Sequence, residues 1–241
     1  MEYSNIKGII FDYGGTIDSR GDHWSHIIYE GWQKSGLEVP IEIFRDAYVH
    51  AERALARERH ILPSDNFLQL LRKKMLSELT WLSDNTEFIA PGDIETKADE
   101  ISLYCYNYAK RCIEEARPTL EDLSRKYPLV LVSNFYGNVD EVLRDFDIRK
   151  YFDGIIESAV VGVRKPDPRI FMLGVVALGL EPSEVLVVGD SLKKDILPAR
   201  SIGCPTAWIK GRGWTADEDA ATDQSQIPSL SALQTLATIQ N

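Results

Sequence analysis

Apolar residues recur along this chain in two rhythms. Residues 6–11, IKGIIF, form a short apolar run that stops at Asp-Tyr-Gly-Gly, the pattern of a buried strand ending in a turn. From about Asp22 to Pro118 the spacing lengthens to three and four residues, and no strand-like run interrupts it. HWSHIIYEGWQKSG ends on Gly36, a residue suited to closing a helix. IEIFRDAYVHAERALARERH follows, then PSDNFLQLLRKKMLSELTWL with Ser64 or Asp65 as the expected cap, then IETKADEISLYCYNYAKRCIEEA; together these make a bundle of about four helices. Beyond Pro118 the short β-rich runs return as PLVLVSN, GIIESAVVG, VLVVGDS and PTAWIK, each followed by polar or helical sequence. Such runs alternating with helices predict a parallel sheet covered on both faces. Gly211 to Gln226 reads as a polar loop, and SLSALQTLATIQ as a closing helix.

One strand precedes the helical block, so the block is expected to be an insertion. The predicted fold is α/β: a Rossmann-like parallel sheet core from residues 1–20 and 118–241, with a helical cap domain over 21–117. A length of 241 residues suits such a core with one insertion. The net charge of −10 disfavours duplex nucleic acid or an anionic membrane as partner, but a local basic pocket remains compatible with a small phosphate ester. Cys105, Cys112 and Cys204 have no metal-like spacing, and the first two, seven apart, fit one buried helix face. Free cysteines, no leader-like N-terminus and no run long enough to span a bilayer point to the cytoplasm. Nothing in the sequence sets an oligomeric state.

In parallel α/β sheets, ligands sit outside the carboxyl ends of the strands. Asp12, Ser133 with Asn134, Lys165 and Asp190 fall at or after four such ends. Each has an ordinary reading by itself. Asp12 is a turn former or helix cap, Ser133 and Asn134 are turn residues, and Lys165 is a loop lysine at the mouth of a helix opened by Asp167 and Pro168. Asp190 and Asp195 read as a helix start and a surface carboxylate. What raises them together is their order.

That order resembles a known family. FDYGGTID, LVLVSN, GVRKPDPRIF and VVGDSLKKDI resemble the four motifs of the haloacid dehalogenase-like superfamily, over residues 5–20 and about 118–210. The helical block is similar to that superfamily's C1-type cap, which closes over the site and selects a small soluble substrate. The resemblance implies that Asp12 is the nucleophile, forming an aspartyl-phosphate, and that Mg²⁺ is held by Asp12, Asp190 and the backbone carbonyl of Gly14. It implies that Ser133 hydrogen-bonds the phosphoryl group and that Lys165 neutralises its charge. Backbone N–H groups at Gly15 and Asn134 would bind substrate, Thr16 would brace the first loop, and Asp195 would support the metal waters or Lys165. The residue types suit this chemistry. A carboxylate attacks phosphorus readily, and a hard, oxygen-seeking cation offsets the repulsion between nucleophile and ester.

One position departs from the pattern. Phosphatases of the superfamily usually carry Asp-x-Asp at the first motif, where the second Asp acts as acid and then base; here that position is Gly14. General acid–base help is worth roughly 10²–10⁴-fold. The first reading is slow or specialised hydrolysis of a phosphomonoester, the substrate being a small phosphorylated metabolite with a good leaving group, or with an acid supplied by Asp18, His23 or His26. Both histidines read first as solvated positions on a cap helix. The second reading is a catalytically impaired phospho-ligand-binding or regulatory protein. The third is a 2-haloacid dehalogenase; those relatives carry Tyr at position 14 and need no metal, whereas GDSLKKD keeps the metal-type motif. Phosphonate-cleaving relatives carry Ala there and use a cap lysine, but nothing in the sequence marks Lys34, Lys73 or Lys74 as buried. Cap aromatics such as Trp24, Trp32, Tyr48 and Phe67 are expected in the bundle core, and Arg45, Arg53 and Arg57 on a solvated face.

Overall fold

Strand β1 (Gly8–Phe11) is buried along its whole length, as a run without polar positions must be. The same holds for β2 (Leu129–Ser133). In the computed structural model, which describes residues 5–58 and 60–238, these two join β3 (Gly154–Glu157), β4 (Val185–Gly189), β5 (Thr206–Ile209) and β6 (Gln226–Ile227). The sheet is parallel throughout, in the order β3-β2-β1-β4-β5-β6. Strand alternation divides its side chains between two cores. Ile9, Phe11, Leu129, Leu131, Leu186 and Val188 face one that continues into the helical insertion. Ile10, Val130, Val132, Val185 and Val187 face the other.

Between β1 and β2 lie α1 (Trp24–Lys34), α2 (Ile41–Arg57), α3 (Phe67–Asn85) and α4 (Ile94–Ser124), the four-helix insertion expected from the sequence. Helix α4 does not stop at Pro118. It runs 31 residues, because Ala116, Thr119, Leu120 and Leu123 keep its buried face continuous across the proline. The cap of α3 also differs from expectation: Asn66, not Ser64 or Asp65, accepts from the Gln69 N–H in a reciprocal capping box. The Asp65 carboxylate instead accepts from the Leu62 N–H at 2.6 Å.

The rest of the chain returns to the sheet through α5 (Val139–Asp145), α6 (Ser158–Val161) and α7 (Arg169–Leu178), whose Ile170, Phe171 and Val175 cover the second face. The SAVV half of GIIESAVVG is therefore helix, not strand. Asp167 does not cap α7; Pro168 holds the cap position and Asp167 accepts from the Arg169 N–H at 2.9 Å. A wide π-type turn, Leu192–Ile196, leads into α8 (Leu197–Ser201). The segment expected as a loop contains α9 (Ala216–Ala220), capped by Thr215. SLSALQTLATIQ forms a 3₁₀ helix, Leu230–Thr238, and its last two residues lie outside the described ones. Among the described residues no helix is long and apolar enough to cross a membrane.

Candidate active site

Because all six strands run parallel, the residues that follow them gather at one edge of the sheet. Asp12 follows β1, Ser133 ends β2 and Asp190 follows β4; all three line one cavity of about 570 Å³ between the sheet edge and the helical insertion. That volume is of the size that holds a small molecule. The loop after α6 brings Lys165 into the same cavity, where its Nζ lies 2.6 Å from Asp12 Oδ1 and 2.6 Å from Asp195 Oδ1. The π-type turn after β4 points Asp195 back at Lys165, and the Ser191 N–H donates to its second oxygen at 3.0 Å. Asp195 is thus 1% exposed, not a surface carboxylate. Thr16 Oγ1 stands 3.0 Å from Asp190 Oδ1 and 3.3 Å from Asp12 Oδ2, bracing both carboxylates with one hydroxyl.

Oxygens of Asp12, Asp190 and Asp195 lie within 4.8 Å of one another. Burial, with the charges of Asp195 and Asp12, pushes Asp190 well above the usual carboxylate range. Burial also raises Asp195, although Lys165 opposes it. For Lys165, burial disfavours the ammonium, but Asp12 and Asp195 outweigh it and lift the pKa to about 12. The Lys165 ammonium bonds two of three crowded carboxylates, Asp12 and Asp195. A divalent cation with oxygen ligands fits this donor set, since it relieves the repulsion that raises Asp190.

The loop after β1 explains both glycines. Gly15 has φ +99°, and a Cβ on it would lie 2.4 Å from Asp190 Oδ2, so no side chain fits. Its N–H donates to Asp18 Oδ1 at 2.8 Å; it is committed to the loop and is not the free phosphate donor expected from the sequence. Gly14 has an ordinary φ, and a Cβ there would meet nothing within 4 Å. The Asn134 side chain clamps the Lys165 backbone, accepting from the Lys165 N–H at 2.9 Å and donating to the Lys165 carbonyl at 3.1 Å. Trp208 on β5 donates from Nε1 to the Asp190 carbonyl at 2.6 Å and holds the other side of the site.

The three candidate acids fall in different places. Asp18 is 1% exposed, and its Oδ2 accepts from Trp24 Nε1 at 3.0 Å while Oδ1 is held by Gly15. Burial, with the charge of Asp12, lifts it to about 7. His23 caps α1 and lines the cavity instead of facing solvent; burial, with Lys194 and Lys74, pushes it down to about 3, so it stays neutral. His26 bonds through Nε2 to the Gly213 carbonyl at 2.8 Å.

Reading the sequence missed the cap wall of the cavity. Lys74, 5% exposed on α3, ion-pairs with Glu52 on α2, and Tyr136 from the loop after β2 donates to Glu52 Oε1 at 2.9 Å. A signal was present: positions 67, 70, 71, 74, 75, 78, 79 and 82 are the buried stripe of α3, and Lys74 and Glu78 interrupt it with charge. Trp32 does lie in the bundle core, whereas Trp24, Tyr48 and Phe67 also line the cavity. Arg45 packs over the Trp214 ring, 4.8 Å from its centre, rather than only facing solvent.

A parallel α/β sheet with a carboxylate-bearing loop after its first central strand, an acidic cluster and a helical insertion defines a capped hydrolase architecture. The chain belongs to the haloacid dehalogenase-like hydrolase family, whose model matches residues 6–203. It is 32% identical over 124 residues to haloacid dehalogenase-like hydrolase domain-containing protein 3 of Bos taurus, covering 50% of this chain and 49% of that protein. Over 126 residues it is 30% identical to a phosphoserine phosphatase of Thermus thermophilus, covering 52% and 48%. These matches span about half the length of each relative. A solved dehalogenase with an intermediate complex shares the fold at a TM-score of 0.63 and 20% identity, covering 96% of this chain and 97% of that one.

Proposed function

We propose that this chain is a Mg²⁺-dependent phosphomonoester hydrolase acting on a small soluble metabolite. The carrying observation is charge balance: of three carboxylates within 4.8 Å, Lys165 pairs with Asp12 and Asp195 and leaves Asp190 without an ammonium partner among the described residues. Asp12, Asp190 and the Gly14 carbonyl would hold the metal, whose charge would screen an anionic ester from the nucleophile. In this reading Asp12 attacks phosphorus through its carboxylate, and water later cleaves the aspartyl-phosphate. Lys165, kept charged by its two carboxylates, neutralises Asp12 and the transferring group. Ser133, buried at the end of β2 and facing the cavity, offers its hydroxyl to the phosphoryl oxygens. Thr16 and Asp195 keep Asp190 and Lys165 in place. No carboxylate stands at position 14 to protonate the leaving group, so esters with good leaving groups are the better substrates.

The test is phosphate release from nitrophenyl phosphate with Mg²⁺, with chelator, and in Asp190→Asn. Activity lost in both latter cases supports the proposal. Halide release from a haloacid that survives chelation would replace it with dehalogenation. Phosphate-analogue binding without turnover would replace it with the impaired, ligand-binding reading, which Gly14 favours.

A further inference from the structure

Lys74 occupies a position that the periodicity of α3 reserves for an apolar residue. The Lys74 side chain is buried while that of Glu52 is 32% exposed; taking an ammonium out of water seldom adds stability, and a well-packed apolar residue of similar volume is often as good or better. Stability alone therefore does not account for the Lys74–Glu52 pair. The pair lies in the wall of the cavity that contains Asp12, on the side of the insertion. Glu52 Oε1 accepts from both Lys74 Nζ and Tyr136 Oη. Among the described residues Oε2 accepts nothing, and Lys74 keeps N–H groups beyond the one it gives to Glu52, with the Tyr48 ring 4.2 Å away. Burial works against charging either group. Each overcomes it through the other, so Glu52 lies below its ordinary pKa and Lys74 well above.

The wall thus presents a charged donor and a charged acceptor side by side, with no net charge. A hydroxyl group matches both halves, accepting from Lys74 and donating to Glu52, and a pair of hydroxyls matches them better. A carboxylate would meet Lys74 but be repelled by Glu52; an ammonium group would meet the reverse. Tyr48, Trp24 and Trp214 line the same cavity and offer faces to the C–H groups of a carbon skeleton. At its mouth Lys193, Lys194 and Arg164 are exposed and carry no ion pair among the described residues, so they can draw in an anionic ester without selecting its alcohol.

We infer that the Lys74–Glu52 pair is the specificity-determining element of the cavity, selecting phosphate esters of neutral polyhydroxy alcohols over esters whose alcohol carries a carboxylate or an ammonium group. This rests on the hydrolase reading above. The test compares kcat/KM of the Mg²⁺-loaded protein on glycerol phosphate, phosphoglycolate, phosphoethanolamine and nitrophenyl phosphate, for wild type, Glu52→Gln and Lys74→Met. Wild type is expected to favour glycerol phosphate over both charged esters by about 10- to 100-fold, the range of one charged hydrogen bond. Glu52→Gln leaves Lys74 without its counter-charge and should shift the ratio towards phosphoglycolate by about tenfold or more; Lys74→Met should shift it towards phosphoethanolamine. A general loss of folding or chemistry lowers all four esters together and leaves the ratios in place. Wild-type preference for either charged ester, or ratios unmoved in a folded Glu52→Gln, overturns the inference. If Glu52→Gln does not fold, the wild-type order decides. Absence of turnover on every ester, nitrophenyl phosphate included, defeats the hydrolase reading instead. The inference is then judged by calorimetric affinities of the same esters, where the same order supports it and the reverse refutes it.

Discussion

Gly14→Asp is the most informative single change. An Asp Cβ at this position meets no heavy atom within 4 Å, and the backbone has no positive φ, so neither overlap nor strain opposes the side chain. Removing a glycine also lowers the entropy of the unfolded chain, worth about 0.4–1 kcal/mol in favour of the fold. The new carboxyl enters a cavity where burial and like charges already raise Asp190, so its own pKa should rise, as an acid for neutral pH requires. General acid help of roughly 10²–10⁴-fold corresponds to about 3–5 kcal/mol of barrier. The gain must depend on the leaving group. Glycerol phosphate, whose alkoxide needs a proton, should gain at least about 100-fold in kcat, while nitrophenyl phosphate, which departs as a stable anion, should gain little. Phosphate release with saturating Mg²⁺ measures both, with Gly14→Ala as the control for backbone effects. Equal gains on both esters, or no gain on glycerol phosphate in a folded variant, would refute the assignment of position 14 as the missing proton donor.

Three further outcomes follow from the same geometry. Gly15→Ala puts a methyl 2.4 Å from Asp190 Oδ2 at φ +99° and should destabilise by about 1–3 kcal/mol while weakening Mg²⁺ binding, as read by urea melts and calorimetry. Asn134→Ala removes both hydrogen bonds on the Lys165 backbone and should lower kcat by about tenfold or more with less change in KM, in steady-state kinetics. Glu78, 0% exposed, is pushed by burial up to about 8, so between its ordinary value near 4.5 and that value the fold holds a proton that the unfolded chain releases. Its contribution therefore weakens as pH rises through that window, by on the order of 5 kcal/mol in all. Glu78→Gln should make urea stability less dependent on pH between 5 and 8; an unchanged slope counts against a protonated Glu78.

The local pattern of residues was enough for the parallel sheet, since unbroken apolar runs such as IIF and VLVV can only be satisfied by cover on both faces. It also placed Asp12, Ser133 and Asp190 at one edge, because parallel strands end on the same side. The helical insertion was legible for a similar reason, its period being a property of each segment alone. Local signals misled where competing caps were available, as at Asn66, and where a short helix of four residues carries too few turns to show a period, as at Ser158–Val161. Only the tertiary structure decided which polar groups are spent on one another. Asp18 consumes the Gly15 N–H, Asn134 grips Lys165, and Tyr136 crosses from the sheet edge to Glu52. Those pairings join residues far apart in the chain or buried in one cavity, and their energies depend on desolvation and distance, which no residue type carries by itself. The sequence alone determined that a carboxylate, Asp12, follows the first strand and that none stands at position 14; folding decided that the space beside position 14 is open and that a buried lysine and a half-buried glutamate line the same cavity from the cap.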